Sequence, residues 1–362
     1  MFVAWRDLKF AKGRFALMGT VIVLITLLVG LLSGLTAGLG RQNISAITSL
    51  PADLIVFAAP GEGQDVSYTG SSVTDRQWQE WAGAAGVEDA EPLGITTTRA
   101  ATGAGSVGVS VFGVLPGSRL APDGGSIDAE SVVLSTPAAS DLGVGAGDFV
   151  TVAGQRLRVA AVEGDAYFSH TPVVWAGLDF WREIAPPAGS GAETAASVVA
   201  VNATSGTDVA AIDRLAGTRT VGVGDSLSAI GSYASENGSL QLMRGFLFVI
   251  SALVVGAFFT VWTVQRSGDI AVLKALGATT AGLLVDALAQ AVLLLVGGTL
   301  LGTALAAALG VFIAGSAVPF HLTAATVLVP AVVMVVVGAL GAAVSVRRIT
   351  SVDPLTALGS AR

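Results

Sequence analysis

Phe15-Ala-Leu-Met-Gly-Thr-Val-Ile-Val-Leu-Ile-Thr-Leu-Leu-Val-Gly-Leu-Leu-Ser-Gly-Leu-Thr-Ala-Gly-Leu39 contains no charged residue, and the architecture follows from it. A hydrocarbon core of about 30 Å needs roughly 20 apolar residues to cross as a helix, which this run exceeds. Arg6, Lys9, Lys12 and Arg14 precede it as they would in a signal peptide. The uncharged stretch is longer than the roughly 7–15 apolar residues of a secretory signal, so it reads as a retained transmembrane helix over 15–39. Three further runs predict transmembrane helices at 241–265, 282–314 and 324–346, with apolar centres at 245–265, which is uncharged, and 283–313, which carries Asp286 as its one charged residue.

Composition agrees: 52% of the 362 residues are hydrophobic and 12% charged, against roughly a quarter charged in a soluble domain. Basic residues gather at one side of every span: Arg6, Lys9, Lys12 and Arg14 before the first, Arg266 and Lys274 between the second and third, Arg347 and Arg348 after the fourth. By the positive-inside rule that side is cytoplasmic, and both termini lie there. The expected order is a cytoplasmic amphipathic helix 1–14, helix 15–39, an extracytoplasmic domain 40–240, helix 241–265 and a cytoplasmic segment 266–281, which the resemblance given below makes the coupling helix. Helix 282–314, a short outer loop 315–323, helix 324–346 and a cytoplasmic tail 347–362 complete it. Arg244, near the outer end of the second helix, runs against the rule, and it is expected to snorkel to phosphates or to pair with Glu236.

Of the 26 acidic residues, 22 fall between Arg41 and Glu236, with 9 of the 19 basic ones, so the acidity belongs to the outer segment. There, short apolar runs separated by Gly, Pro, Asp and Ser predict strands at 53–58, 109–114, 131–135, 149–153, 157–162, 172–176 and 197–201. Short helices are expected at 75–83 and 207–216, and 189–195 reads as a low-complexity loop. The fold class is therefore a membrane all-α four-helix domain with an α/β (mixed) extracytoplasmic domain inserted between the first and second transmembrane helices.

Little in the chain speaks for catalysis. Gly103-Ala-Gly-Ser-Val-Gly108 fits G-x-G-x-x-G but leads into a strand rather than a helix, so it reads as a glycine-rich hairpin. No Walker motif is present, so ATP-driven work needs a separate ATPase. There is no cysteine, and the two histidines, His170 and His321, make neither a metal cluster nor a hydrolase motif. Asn43, Asn202 and Asn237 stand in N-x-[ST] patterns at about the frequency of chance and are given no role. Asp286, near the cytoplasmic end of the third span, is expected to pair with a basic residue of the adjoining loop. Glu236, at the outer mouth of the second span, is the leading candidate for ligand contact.

Gln265-Arg-Ser-Gly-Asp-Ile-Ala-Val-Leu-Lys-Ala-Leu-Gly-Ala-Thr279 closely resembles the cytoplasmic segment of MacB/FtsX-type (type VII) ABC transporter permeases. Trp5-Arg-Asp-Leu-Lys9, the step Gly297, Gly298 and Gly302, and Arg347-Arg-Ile-x-x-x-Asp-Pro-Leu-x-Ala-Leu358 match as well. The resemblance implies a homodimeric permease of the plasma (inner) membrane with two copies of a cytoplasmic P-loop ATPase, which binds ATP-Mg. It gives Arg266, Asp269, Leu273, Lys274 and Leu276 the coupling role, with Asp269 standing where the family usually has Glu. It implies no catalytic residue, no intrinsic cofactor or metal, and no nucleic-acid partner.

Within the family the chain looks most similar to haem-exporter permeases of Gram-positive bacteria. That likeness implies a small hydrophobic substrate, haem, met by Glu236, Tyr233, Met243, Arg244 and His321 at the outer mouths of the helices, with Glu236 as an iron contact and Arg244 facing a propionate. The alternatives on the same scaffold are a mechanotransmitter that controls an outer partner and an efflux permease for lipoproteins or antibiotic peptides.

Overall fold

The computed structural model describes residues 12–185, 194–265, 267–313 and 318–346. It divides into two compact units, Met1–Gly38 with Ser239–Arg362, and Leu39–Gly238. Residues 1–11 of the expected N-terminal helix, residues 314–317 and the tail 347–362 lie outside the described residues.

The membrane unit is helical. Among the described residues, four helices are long and apolar enough to cross a bilayer: α1 (Lys12–Thr48), α6 (Gly231–Gln265), α8 (Thr280–Ile313) and α9 (Ala324–Val346). Their shared core joins Met18 and Ile22 of α1, Phe259 and Trp262 of α6, Ala291 and Leu295 of α8, and Ala342 of α9. In lipid no hydrophobic force drives helices together, so close backbone approach through small residues does that work. Gly302 lies against the Val23 carbonyl, where an added Cβ would sit 2.7 Å from the oxygen, and Gly30 lies against Ala306. The outer loop packs the same way. A Cβ on Gly34 would overlap the Phe320 ring and one on Gly38 the Pro319 carbonyl, and the His321 N–H donates to the Gly34 carbonyl at 3.1 Å.

The outer unit is built on one large sheet in the order β12-β1-β11-β3-β4-β9-β5-β7-β6. The strands are β1 (Leu54–Ala58), β2 (Val73–Thr74), β3 (Val87–Thr102), β4 (Gly105–Val114), β5 (Ser131–Leu134) and β6 (Phe149–Val152). The chain continues through β7 (Gln155–Val162), β8 (Tyr167–Phe168), β9 (Thr171–Gly177), β10 (Thr194–Ala196), β11 (Val198–Ala203) and β12 (Thr218–Gly222). The long strand β3 serves two lobes. Its first half pairs with β11; its second half pairs with β4, and Ala100 and Ala101 pair with β6, which closes β3-β4-β9-β5-β7-β6 into a ring. Inside the ring lie Val109, Val111, Val132, Leu134, Val152 and Val174, with α3 (Thr136–Leu142) and α4 (Leu178–Ile184) packed on the same core. The other lobe covers β1 and β11 with α2 (Asp75–Ala82) and α5 (Val209–Ala216), through Trp81 and Ala216.

Most expected strands and both short helices appear within a few residues of their predicted bounds. Gly103–Gly108 is the tip of the β3–β4 hairpin, with Thr102 opposite Gly105. Strand β3 escapes a reading by pattern because Pro92 and the acidic Glu88, Asp89 and Glu91 interrupt its apolar alternation. Of the expected loop 189–195, Thr194 and Ala195 instead form strand β10, and the rest lies outside the described residues.

The first two transmembrane helices correct the expected bounds: α1 runs to Thr48 rather than 39, and α6 begins at Gly231 rather than 241. Hydropathy marks only the part of a helix that lipid covers. The added turns are polar outside but carry Ala46 and Ile47, with Ile230 just before α6, into the outer unit's core beside Phe57, Tyr68, Phe112 and Phe168.

Candidate functional site: a carboxylate held by an imidazole

Tyr167-Phe168 and Thr171-Pro172 form the two arms of the β8–β9 hairpin, leaving Ser169 and His170 as its two-residue turn. Both have positive φ, 50° and 66°. A two-residue turn of this hand suits the twist of the flanking strands but favours Asn and Gly, so Ser-His holds it under strain. Three contacts hold it there. Phe168 is buried edge-on against Tyr68 and Phe112, the Ser169 N–H donates to the Asn43 carbonyl at 3.0 Å, and the His170 N–H donates to the Gln42 carbonyl at 2.9 Å.

The turn presents His170 to Glu236, on the first turns of α6. The imidazole Nε2 lies 2.9 and 3.1 Å from the two carboxylate oxygens. The Asn43 amide nitrogen lies 3.1 Å from the same Nε2, so this ring nitrogen donates to the carboxylate in one tautomer and accepts from Asn43 in the other. The Asn43 amide donates to the same carboxylate at 3.4 Å, and the Ser232 hydroxyl donates to the Asn43 carbonyl oxygen at 2.5 Å, which fixes the orientation of the amide. Ser169 and Ser232 share a hydrogen bond of 2.8 Å. Asn43 is 1% exposed, whereas the Glu236 side chain is 44% exposed, so the network is rooted in the fold and open on its carboxylate side. Beside it, burial first and the Asp141 and Asp165 carboxylates next push the Tyr167 phenol up.

The expected site residues separate. Glu236 and Tyr233 belong to the outer unit, where Tyr233 packs partly buried against the aromatic core. Met243, Arg244 and His321 belong to the membrane unit. Glu236 takes His170 and Asn43 as partners rather than Arg244, and the buried Nε of Arg244 has no hydrogen-bond partner among the described residues. His170 and Asn43 were given no role from sequence. The N-x-[ST] pattern at Asn43 carries no signal in the sequence, whereas in the fold Asn43 is buried at the centre of the network. Only the shared dependence of both residues on a turn 127 positions away from Asn43 reveals them.

In the membrane unit, α7 (Ser267–Ala275) carries Leu273 and ends beside Leu276. Gly277 stops it at φ 93°, its N–H donating to the Lys274 carbonyl at 3.0 Å and the Ala278 N–H to the Leu273 carbonyl at 2.9 Å, the hydrogen-bond pair of a Schellman cap. Leu273 is 39% and Leu276 79% exposed. Arg266 lies outside the described residues, and Asp269 is described by its backbone alone, within α7.

The outer unit also holds a cleft of about 360 Å³ whose lining includes Arg41, Ser49, Arg119 and Trp175. Arg41 pairs with Asp165 at 2.6 Å and Arg119 with Asp89, so its charges are met from within the fold.

Comparison with known proteins fits this layout. The MacB-like periplasmic core domain pattern matches residues 15–217 and the FtsX-like permease C-terminal pattern matches residues 242–354. A Staphylococcus epidermidis protein named as a candidate hemin transport system permease, HrtB, is 25% identical over 367 residues, covering 99% of each chain. An uncharacterized ABC transporter permease of Mycobacterium tuberculosis is 27% identical over 370 residues, again covering 99% of each. The periplasmic region of MacB from Actinobacillus actinomycetemcomitans aligns at 12% identity and a TM-score of 0.36, over 53% of this chain and 97% of that one. The extracellular domain of the Gram-positive transporter YknZ aligns at 16% identity and a TM-score of 0.34, over 47% and 98%. The four apolar helices, the α/β domain inserted after the first of them and the two pattern matches have one meaning: this chain belongs to the MacB/FtsX family of ABC transporter permeases.

Proposed function

We propose that this chain is the permease subunit of an ABC exporter that expels haem from the membrane, driven by ATP hydrolysis in a separate subunit. The observation that carries the substrate is the partly open Glu236 carboxylate, held by His170 and Asn43 at the outer end of α6. Relatives over the whole chain length bear hemin transport names, which supports the same reading. A carboxylate is a weaker ligand to haem iron than Tyr, Met or His, which suits a cargo that must leave. Tyr233, Met243, Arg244 and His321 complete the proposed substrate path, with Arg244 available to a propionate.

In this reading the permease is a homodimer, both termini and α7 are cytoplasmic, and each α7 docks into one of two ATPase subunits that bind ATP-Mg. Arg266, Asp269 and Lys274 orient the docking, while Leu273 and Leu276 supply its apolar edge. The exposure of those two leucines supports a protein partner on that edge.

A haem titration of the purified full chain in detergent, followed at the Soret band, tests the substrate. Saturable binding by the wild type that is lost in Glu236→Ala is expected. If the wild type shows no saturable binding, haem is not the cargo, and the weight moves to a peptide pump or a mechanotransmitter within the same family.

A further inference from the structure

We infer that His170 is the positioning residue for the Glu236 carboxylate, and that the strained Ser169–His170 turn exists to hold it there. The assignment deepens the proposed substrate site and rests on that reading for its ligand, but its geometry stands on the outer unit alone. Nothing local favours Ser-His at two positive-φ positions, so a tertiary demand must hold them. Tertiary contacts make that demand. Both turn N–H groups are taken by carbonyls of α1, the Ser169 hydroxyl bonds Ser232, and the imidazole reaches both oxygens of Glu236.

A glutamate on a partly exposed helix face otherwise samples many rotamers, and binding a ligand through it means losing that freedom. His170 and Asn43 remove the freedom in advance by gripping the carboxylate from the buried side, which leaves its outer side for a cationic centre. This is preorganisation of a single ligating group. His321, whose backbone N–H bonds Gly34 in the membrane unit, keeps its proposed place in the substrate path, and His170 joins the site at Glu236.

Two readouts on the full chain in detergent test this. The first is the haem titration on His170→Ala and His170→Gln. Loss of a charge-assisted hydrogen bond should weaken binding about tenfold or more in His170→Ala. The Soret maximum should stay where the wild type has it, because the atom on the iron is unchanged, and His170→Gln, which keeps a donor, should recover most of the affinity. A displaced Soret maximum in His170→Ala, or unaltered affinity, overturns the positioning role.

The second readout needs no haem. The chain has only two histidines, so ¹⁵N-histidine labelling yields two imidazoles, and His321→Ala identifies His170. Its ¹⁵N shifts should move in Glu236→Gln. If they do not, the pairing is wrong whatever the substrate. If they do while the wild type binds no haem, the pairing holds and the haem reading alone falls.

Discussion

Tyr68 shows at the residue scale how burial sets chemistry in the outer unit. Its ring is 1% exposed between Phe57 and Phe168, and its hydroxyl donates to Ser226 at 2.8 Å. Burial raises its pKa above that of a free phenol, and the Ser226 hydrogen bond only partly opposes this. The folded chain therefore keeps a proton that the unfolded chain loses near pH 10, so the associated stability is complete below that pH and is lost progressively as pH rises from there toward the raised folded value. Thermal melts of the full chain, followed by tryptophan fluorescence, should hold level from about pH 8 and lose stability above about pH 10. Tyr68→Phe should flatten that loss and cost about 1 kcal/mol at pH 8 through the missing hydrogen bond. Glu236 was legible at this scale because a carboxylate at a membrane mouth is conspicuous. His170 was not, since its role depends on a hairpin turn whose strain no local pattern announces.

Helices carry the next level of argument. The α1–α8 contact depends on an absent side chain: Gly302 meets the Val23 carbonyl and Thr26, and backbone cannot step aside as a flexible side chain can. Gly302→Val should overpack this seam at a cost of about 1–3 kcal/mol, read as a lower unfolding temperature in detergent, while Gly297→Val, where a Cβ meets nothing within 4 Å, should leave it nearly unchanged. Just past the end of α7 the exposed Leu276 is the residue to change. Leu276→Asp should abolish co-purification of the ATPase subunit and substrate-stimulated ATP hydrolysis while leaving the melting temperature of the isolated permease within a few degrees. An intact complex in that variant would remove the docking role.

Charge and topology belong to the whole molecule. The chain has no cysteine, so single cysteines can report sidedness without a background. A cysteine at Glu130, exposed in the outer unit, should react with a membrane-impermeant maleimide in intact cells. One at Gly268 in α7 should react only after permeabilisation. Labelling of both in intact cells would overturn the proposed orientation.

Hydropathy, charge asymmetry and turn residues were enough to read four membrane helices and an inserted acidic α/β domain, because lipid transfer and turn chemistry act on short stretches of chain. The length of α1 and α6 beyond the apolar runs, the two-lobed role of β3 and the meeting of Asn43, His170 and Glu236 were settled only in three dimensions. The physical reason is common to all three. Each is stabilised by partners remote in sequence: the aromatic core that takes in Ile47 and Ile230, the ring that closes on Ala100, and a hydrogen-bond network assembled from two helices and a strained turn.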